Sequence, residues 1–267
     1  MGFTVLLYHR IHPQFGVHPE NFKKQMEFLK KHFYPLTIKE LQNKTPFPSV
    51  LITFDDGFYD FFIYAYPILK ELNLPSVLFV SPDRILNSNS VRKEKSYADI
   101  STKEAFKKSF LKGDNNAFLS WGELKAVSDI VDVQSHALTH RAALGKGKPY
   151  SPPEDWRIYS LNEYHSVKSG TSLTSILVSD LKEAKKELSQ SKKILEHKLN
   201  KEVNAIAWPW GIYNESLVKI ALETGYKYCF TTERGWNRKN LCRIRRLAVG
   251  EKKNLIWFIT RTLFYAL

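Results

Sequence analysis

Val50-Leu51-Ile52-Thr53-Phe54-Asp55-Asp56-Gly57 is the stretch from which the fold can be read. Its first five residues are apolar or β-branched without alternation, the pattern of a strand buried on both faces of a largely parallel sheet. Two carboxylates follow at the strand's C-terminal end, the edge where α/β folds bind ligands. Adjacent residues on an extended chain point opposite ways, but Gly57 permits a turn sharp enough to bring both into one pocket. Two close carboxylates repel unless a cation lies between them. Taken alone, the string reads first as an ordinary turn in which Asp55 or Asp56 caps the next helix.

Further along, Ser135-His136-Ala137-Leu138-Thr139-His140 follows another strand candidate, Val131–Gln134. Its two imidazoles share a face if the segment is helical or tightly turned. They lie at the same sheet edge as the Asp pair. One Asp and two His make a metal site with open positions and leave the other Asp as a base, the combination that metal-assisted hydrolysis needs.

Around these two pieces the chain alternates β-rich runs with helical stretches, which argues for an α/β fold. The other strand candidates are Phe3–Tyr8, Ser76–Val80, Ala205–Trp208, Tyr226–Thr231 and Ile244–Val249. Phe22, Met26, Leu29 and Phe33 recur at helical spacing, and Asp60–Leu72 reads as the helix after the Asp-Asp strand. Residues 179–199 form a charged amphipathic helix with Leu181, Ala184, Leu188, Leu195 and Leu199 among its apolar positions. Thr37 to Glu40 and Ser120 to Glu123 fit capping boxes, and Asn214 caps a helix that Gly225 closes. Two polar stretches, near 82–118 and 141–177, interrupt the alternation and read as insertions on a single domain spanning 1–267.

The chain has 267 residues, 43% hydrophobic and 25% charged, enough for a sizeable core. Cys229 and Cys242 are too few for a disulfide framework. The start, Met1 to Tyr8, has no basic region or cleavage site, so the expected location is cytoplasmic, with a peripheral position at the inner membrane face as the variant. No segment has the length of a membrane span. The formal charge is +13, which favours an anionic partner: a phosphate-bearing glycan, an anionic membrane surface or nucleic acid. Nucleic acid is the weakest of these, since no recognition motif accompanies the charge. The apolar run Leu255–Leu267, preceded by Lys252 and Lys253, fits a helix closing the fold, with an interfacial helix as the alternative.

With these motifs in place, the chain resembles the polysaccharide deacetylase family, the nodulation-type deacetylase domain of carbohydrate esterase family four. Thr53-Phe54-Asp55-Asp56-Gly57 resembles its first motif, Ser135 to His140 its second, and Ala205-Ile206-Ala207-Trp208-Pro209-Trp210-Gly211, more loosely, its third. The resemblance implies a distorted (β/α) barrel of about seven strands. It implies Asp55 as general base and Asp56, His136 and His140 as ligands of a divalent metal, Zn²⁺ foremost, with Co²⁺ or Ni²⁺ as alternatives. It gives the Trp210 backbone N–H a role in holding the oxyanion. In one departure, Trp208 stands where the family has an Arg that braces the base. Arg243, Arg245 and Arg246 are the candidates to replace it. Leu7-Tyr8-His9-Arg10-Ile11 resembles the start of the circularly permuted poly-N-acetylglucosamine deacetylase branch, which implies His9 as general acid; His12 and His18 are weaker candidates.

The expected activity is a metal-dependent carbohydrate N-deacetylase, a hydrolase of linear amides. Its substrate would be an N-acetylated amino sugar in a glycan or glycan precursor, lipid-linked or nucleotide-linked. The alternatives are deformylation of a lipid-linked amino sugar and an inactive glycan-binding protein that kept the cleft, the latter motivated by the missing Arg. A non-haem iron oxygenase uses the same two-His-one-carboxylate set but is disfavoured by the α/β pattern and the spare Asp55.

Overall fold

A sequence whose apolar runs sit at carboxylate and imidazole edges folds into a curled parallel sheet with helices outside. The computed structural model describes residues 2–44, 46–238 and 240–266; Met1 of the N-terminal reading and Leu267 of the C-terminal run lie outside the described residues. In chain order come β1 (Thr4–Tyr8), α1 (Pro19–His32), β2 (Tyr34–Pro35), β3 (Ser49–Phe54), α2 (Tyr66–Glu71), β4 (Ser76–Val80) and α3 (Thr102–Lys112). Next are α4 (Trp121–Ala126), β5 (Val131–Ser135), β6 (Ala142–Pro149), β7 (Ser172–Ser175), α5 (Ile176–Ser179) and α6 (Leu181–Leu199). The series ends with β8 (Ala205–Ala207), α7 (Glu215–Thr224), β9 (Tyr228–Phe230), β10 (Leu247–Ala248) and α8 (Leu255–Ala266).

The main sheet runs β10-β1-β3-β4-β5-β8-β9, parallel throughout, with the short β2 beside the start of β3. Its two ends approach each other through one segment. Ile244 bridges Phe230 of β9, and three residues on, Leu247 pairs with Leu6 of β1. The curled sheet is thus the distorted barrel that the resemblance implies. The strand expected over 244–249 is regular only at Leu247–Ala248, because the chain crosses here from one neighbour to the other.

Side chains alternate between two cores, as a barrel requires. Val5, Leu51, Val77, Phe79, Ala205, Ala207 and Phe230 fill the inside, where Phe79 and Phe230 meet across the barrel with ring centroids 4.9 Å apart. Leu6, Ile52, Leu78, Val80, Val133 and Ile206, the alternate residues, face the helices. The unbroken apolar runs follow from this double burial.

The helices obey their end signals. His18 and Asn214 accept from backbone N–H groups of α1 and α7, and Gly225 ends α7 with φ +95°. In α6, Ala184, Leu188, Ser191 and Leu195 form the buried stripe. The expected Asp60–Leu72 helix begins with a π-helical turn, Phe61–Ala65, before α2. α8 buries Phe258, Thr262 and Ala266, and packs on β1 and α1, while Ile256, Leu263 and Phe264 stay exposed. Among the described residues no helix is long and apolar enough to cross a membrane.

Both polar stretches are structured. Residues 82–118 carry α3, capped by Ser101, and residues 141–177 carry the antiparallel β6–β7 hairpin. Phe106 of α3 and Trp156 from beyond the hairpin's first strand stack with centroids 3.5 Å apart, which joins the two stretches beside the strand ends.

Candidate active site

The barrel register brings the motifs together. Tyr8 pairs with Phe54, so His9 and Asp55 leave adjacent strands side by side. Val80 pairs with Ser135 and Ser135 with Ile206, which sets His136 beside Ala207. His9, Asp55, Asp56, His136, His140, Trp208 and Trp210 all line one open cleft of about 530 Å³.

Backbone strain concentrates here. Asp56 (φ +72°) and Gly57 (φ +71°) are consecutive left-handed residues, and this reversal turns both carboxylates into the cleft. A Cβ on Gly57 would lie 2.8 Å from Val80 Cγ1, so only glycine fits. Ala137, His140 and Trp210 also take positive φ, at +59°, +56° and +64°. Non-glycine residues in that region cost of order 1–3 kcal/mol each, and such strain gathers where function demands a geometry.

The His segment is therefore a tight turn rather than a helix, and several bonds hold it. His136 N–H donates to the Val80 carbonyl at 2.8 Å, and Ser81 Oγ donates to the His136 carbonyl at 2.7 Å. From α6, the buried Glu187 accepts from Leu138 N–H (3.0 Å), Thr139 N–H (2.9 Å) and Thr139 Oγ1 (2.6 Å). Sequence reading passed over Glu187, yet a signal existed: a carboxylate placed beside Leu188 on the apolar stripe of an otherwise well-patterned helix.

Asp56 Oδ1, His136 Nε2 and His140 Nε2 converge. Oδ1 lies 3.5 Å from His136 Nε2 and 3.3 Å from His140 Nε2, and the two nitrogens are 3.2 Å apart. Ligands bound at about 2.0–2.1 Å to a tetrahedral ion are separated by roughly 3.3 Å, so the triangle has the size that a zinc-like ion needs. Nδ1 of His136 donates to the Ala207 carbonyl at 2.8 Å, which fixes the tautomer and turns the Nε2 lone pair toward the triangle. Burial works against the charge of Asp56, but bonds from His136 and His140 outweigh it, and its carboxyl is held well below the ordinary range. The donor set and its geometry fit a divalent metal.

Asp55 is positioned separately. Arg246 Nη1 donates to Oδ1 at 2.7 Å and Nη2 to Oδ2 at 2.8 Å, while Arg246 Nε donates to the Thr231 carbonyl at 2.8 Å. Burial raises the Asp55 pKa, yet Arg246 and His136 overcome that penalty and hold it below its ordinary value. Of the three candidate arginines the structure brings Arg246 to the base; Arg243 pairs with Glu215, and Arg245 lies 3.7 Å from Glu233. Trp208, standing where the family has its Arg, is fully buried and stacks on Tyr213, so it lines the cleft while Arg246 does the bracing.

His9 is exposed at the cleft. His12 is buried elsewhere, its Nε2 3.1 Å from Asp99, and His18 caps α1. Trp156, in one of the polar stretches and unsignalled in sequence, forms a wall with Trp210 (4.5 Å) beside the His140 ring (5.7 Å). The indole nitrogens of Trp208 and Trp210 are buried without a partner among the described residues.

With this geometry established, comparison with known proteins is informative. A family model described as polysaccharide deacetylase matches residues 42–229. The chain is 25% identical over 227 residues to a poly-beta-1,6-N-acetyl-D-glucosamine N-deacetylase of Staphylococcus epidermidis, covering 82% of this chain and 62% of that protein. The Staphylococcus aureus protein of the same name is 24% identical over 225 residues, with the same shares. The chain thus spans less than two thirds of the length of these curated relatives. Among solved structures, the deacetylase PplD of Streptococcus pyogenes, in complex with acetate, superposes with a TM-score of 0.68 at 21% identity, over 98% of each chain. IcaB from Ammonifex degensii superposes with a TM-score of 0.70 at 18% identity, over 99% of this chain and 97% of that one. These two likenesses establish the fold.

Proposed function

The chain belongs to the polysaccharide deacetylase family, and from that premise we propose that it hydrolyses the N-acetyl group of an amino sugar in a glycan, with a divalent metal, Zn²⁺ foremost. The observation that carries the proposal is the pairing, in one cleft, of a three-donor triangle from Asp56, His136 and His140 with a second, separately braced carboxylate on Asp55. A bound ion would supply Lewis acidity toward the acyl carbonyl and toward water.

The remaining work falls to the chain's own groups. Asp55, kept ionised by Arg246, takes a proton from the attacking water. The backbone N–H of Trp210 helps hold the oxygen on which charge develops. His9, exposed at the cleft, gives a proton to the departing amine. Acetate and a free amino sugar result.

The relatives' names motivate a polymer of N-acetylglucosamine as the first substrate to try. Lipid-linked and nucleotide-linked amino sugars and N-formyl analogues are finer variants of the same chemistry. The inactive, binding-only reading loses its motive, since Arg246 stands in for the absent Arg.

Metal per chain and acetate release test the proposal together. About one divalent ion per chain, lost in Asp56→Ala and His136→Ala, with acetate released by wild type, is the expected result. Asp55→Asn should keep the metal and lose turnover. A protein that takes up no metal after reconstitution, or an Asp55→Asn variant of full activity, would overturn it.

A further inference from the structure

A second cavity, of about 680 Å³, adjoins the catalytic cleft, and Trp156 and Trp210 line both. Its other wall comes from the β6–β7 hairpin, whose register slips: Leu144 and Lys148 both pair with Leu173, so Gly145-Lys146-Gly147 arches outward between them. A Cβ on Gly147 would sit 2.1 Å from the Leu173 carbonyl oxygen, which makes glycine necessary to the arch. The arch sets Lys146 and Lys148, both exposed, at the cavity rim. Asp155 is engaged by Arg157 (Nε to Oδ1, 2.8 Å), so only the exposed Glu154 opposes the two ammonium groups on this lining.

We infer that this cavity is a second sugar subsite, which takes the neighbouring unit of a glycan chain and favours one bearing an anionic group, a carboxylate or a phosphate. The inference rests on the deacetylase reading of the adjoining cleft. An aromatic wall suits the apolar face of a sugar ring. Lys146 and Lys148 suit an anion, and the chain's excess of 40 Lys and Arg over 27 Asp and Glu draws such a glycan the same way. Because the two cavities share a wall, a chain with one unit in the cleft can place its neighbour against the other face.

The test compares the metal-loaded wild type with Lys146→Glu/Lys148→Glu. Substrates are N-acetylglucosamine, a neutral N-acetylglucosamine oligosaccharide, and oligosaccharides carrying a uronate or a phosphate on the adjoining unit. The charge-reversed variant should lose about tenfold or more in kcat/KM on the anionic oligosaccharides, through KM, with the monosaccharide rate unchanged. A charge-reversed variant equal to wild type on both anionic substrates, or one equally impaired on the monosaccharide, overturns the subsite. If wild type hydrolyses nothing, the deacetylase reading falls by itself. Calorimetric titration of the same oligosaccharides then decides: heat lost in the charge-reversed variant supports the subsite, and equal or absent heat overturns it.

Discussion

Arg246 clasps both carboxylate oxygens of Asp55 across 191 residues of sequence, at 2.7 and 2.8 Å, with both side chains buried. A guanidinium fork on a carboxylate fixes orientation as well as charge, so the base is aimed as well as ionised.

This pair sets a pH dependence. Burial pushes the Asp55 pKa up, and Arg246, with His136, brings it below the ordinary value. The acid limb of kcat/KM should therefore lie below the usual carboxylate range. In Arg246→Met burial acts unopposed by the guanidinium, and the limb should move up by about one pH unit or more. The sign for stability is the same: a depressed carboxyl stabilises the fold above its unfolded pKa, near 4, and that contribution fades as pH falls toward the folded value. Arg246→Met should also cost roughly 3–5 kcal/mol, since it leaves a buried carboxylate alone. A pH–rate profile and urea unfolding check both, and an unmoved limb refutes the assignment.

His9→Ala should lower turnover by ~10²–10⁴-fold while metal content and melting temperature stay at wild-type values. The side chain is exposed, so the fold does not depend on it. An unchanged rate would hand the acid role to another group.

Glu187→Gln should weaken metal affinity by about 10–100-fold, the usual consequence of disturbing groups that hold ligands in place. Glu187 binds the backbone of Leu138 and the backbone and hydroxyl of Thr139, between His136 and His140. Competition with a chromogenic chelator reads the affinity, and a value equal to wild type would show that the turn holds itself.

Gly57→Ala should be destabilising and impair metal binding together. The new Cβ meets Val80 Cγ1 at 2.8 Å on a backbone with φ +71°. The strained residue costs of order 1–3 kcal/mol and the turn that aims Asp56 must shift. Thermal unfolding with and without metal measures both; a variant as stable as wild type with full metal would show that the turn tolerates a side chain.

The strands were legible because double burial leaves unbroken apolar runs, as in Val50–Phe54 and Ser76–Val80. The Asp56–His136–His140 cluster was legible because its members sit in short motifs at strand ends. What local sequence could not show came from elsewhere in the chain. Arg246 is one of three neighbouring arginines, and only the crossing from β9 to β1 decides which faces inward. The polar stretches near 82–118 and 141–177 lacked an apolar period of their own, since Ala105 and Phe106 of α3 pack with Phe58, Phe118 and Trp156 in a small cluster apart from the two barrel cores. Trp156 is meaningful only once that packing is in place.

The segment from Ile244 to Leu247 is both the seam between β9 and β1 and the carrier of Arg246. A ribosome delivers Asp55, Asp56, His136 and His140 well before that segment. Until it docks, the barrel stands open and Asp55 lacks its guanidinium. Catalytic competence should therefore arrive abruptly and late in the birth of each molecule, so that a half-made or frayed chain carries Asp56, His136 and His140 yet stays chemically silent.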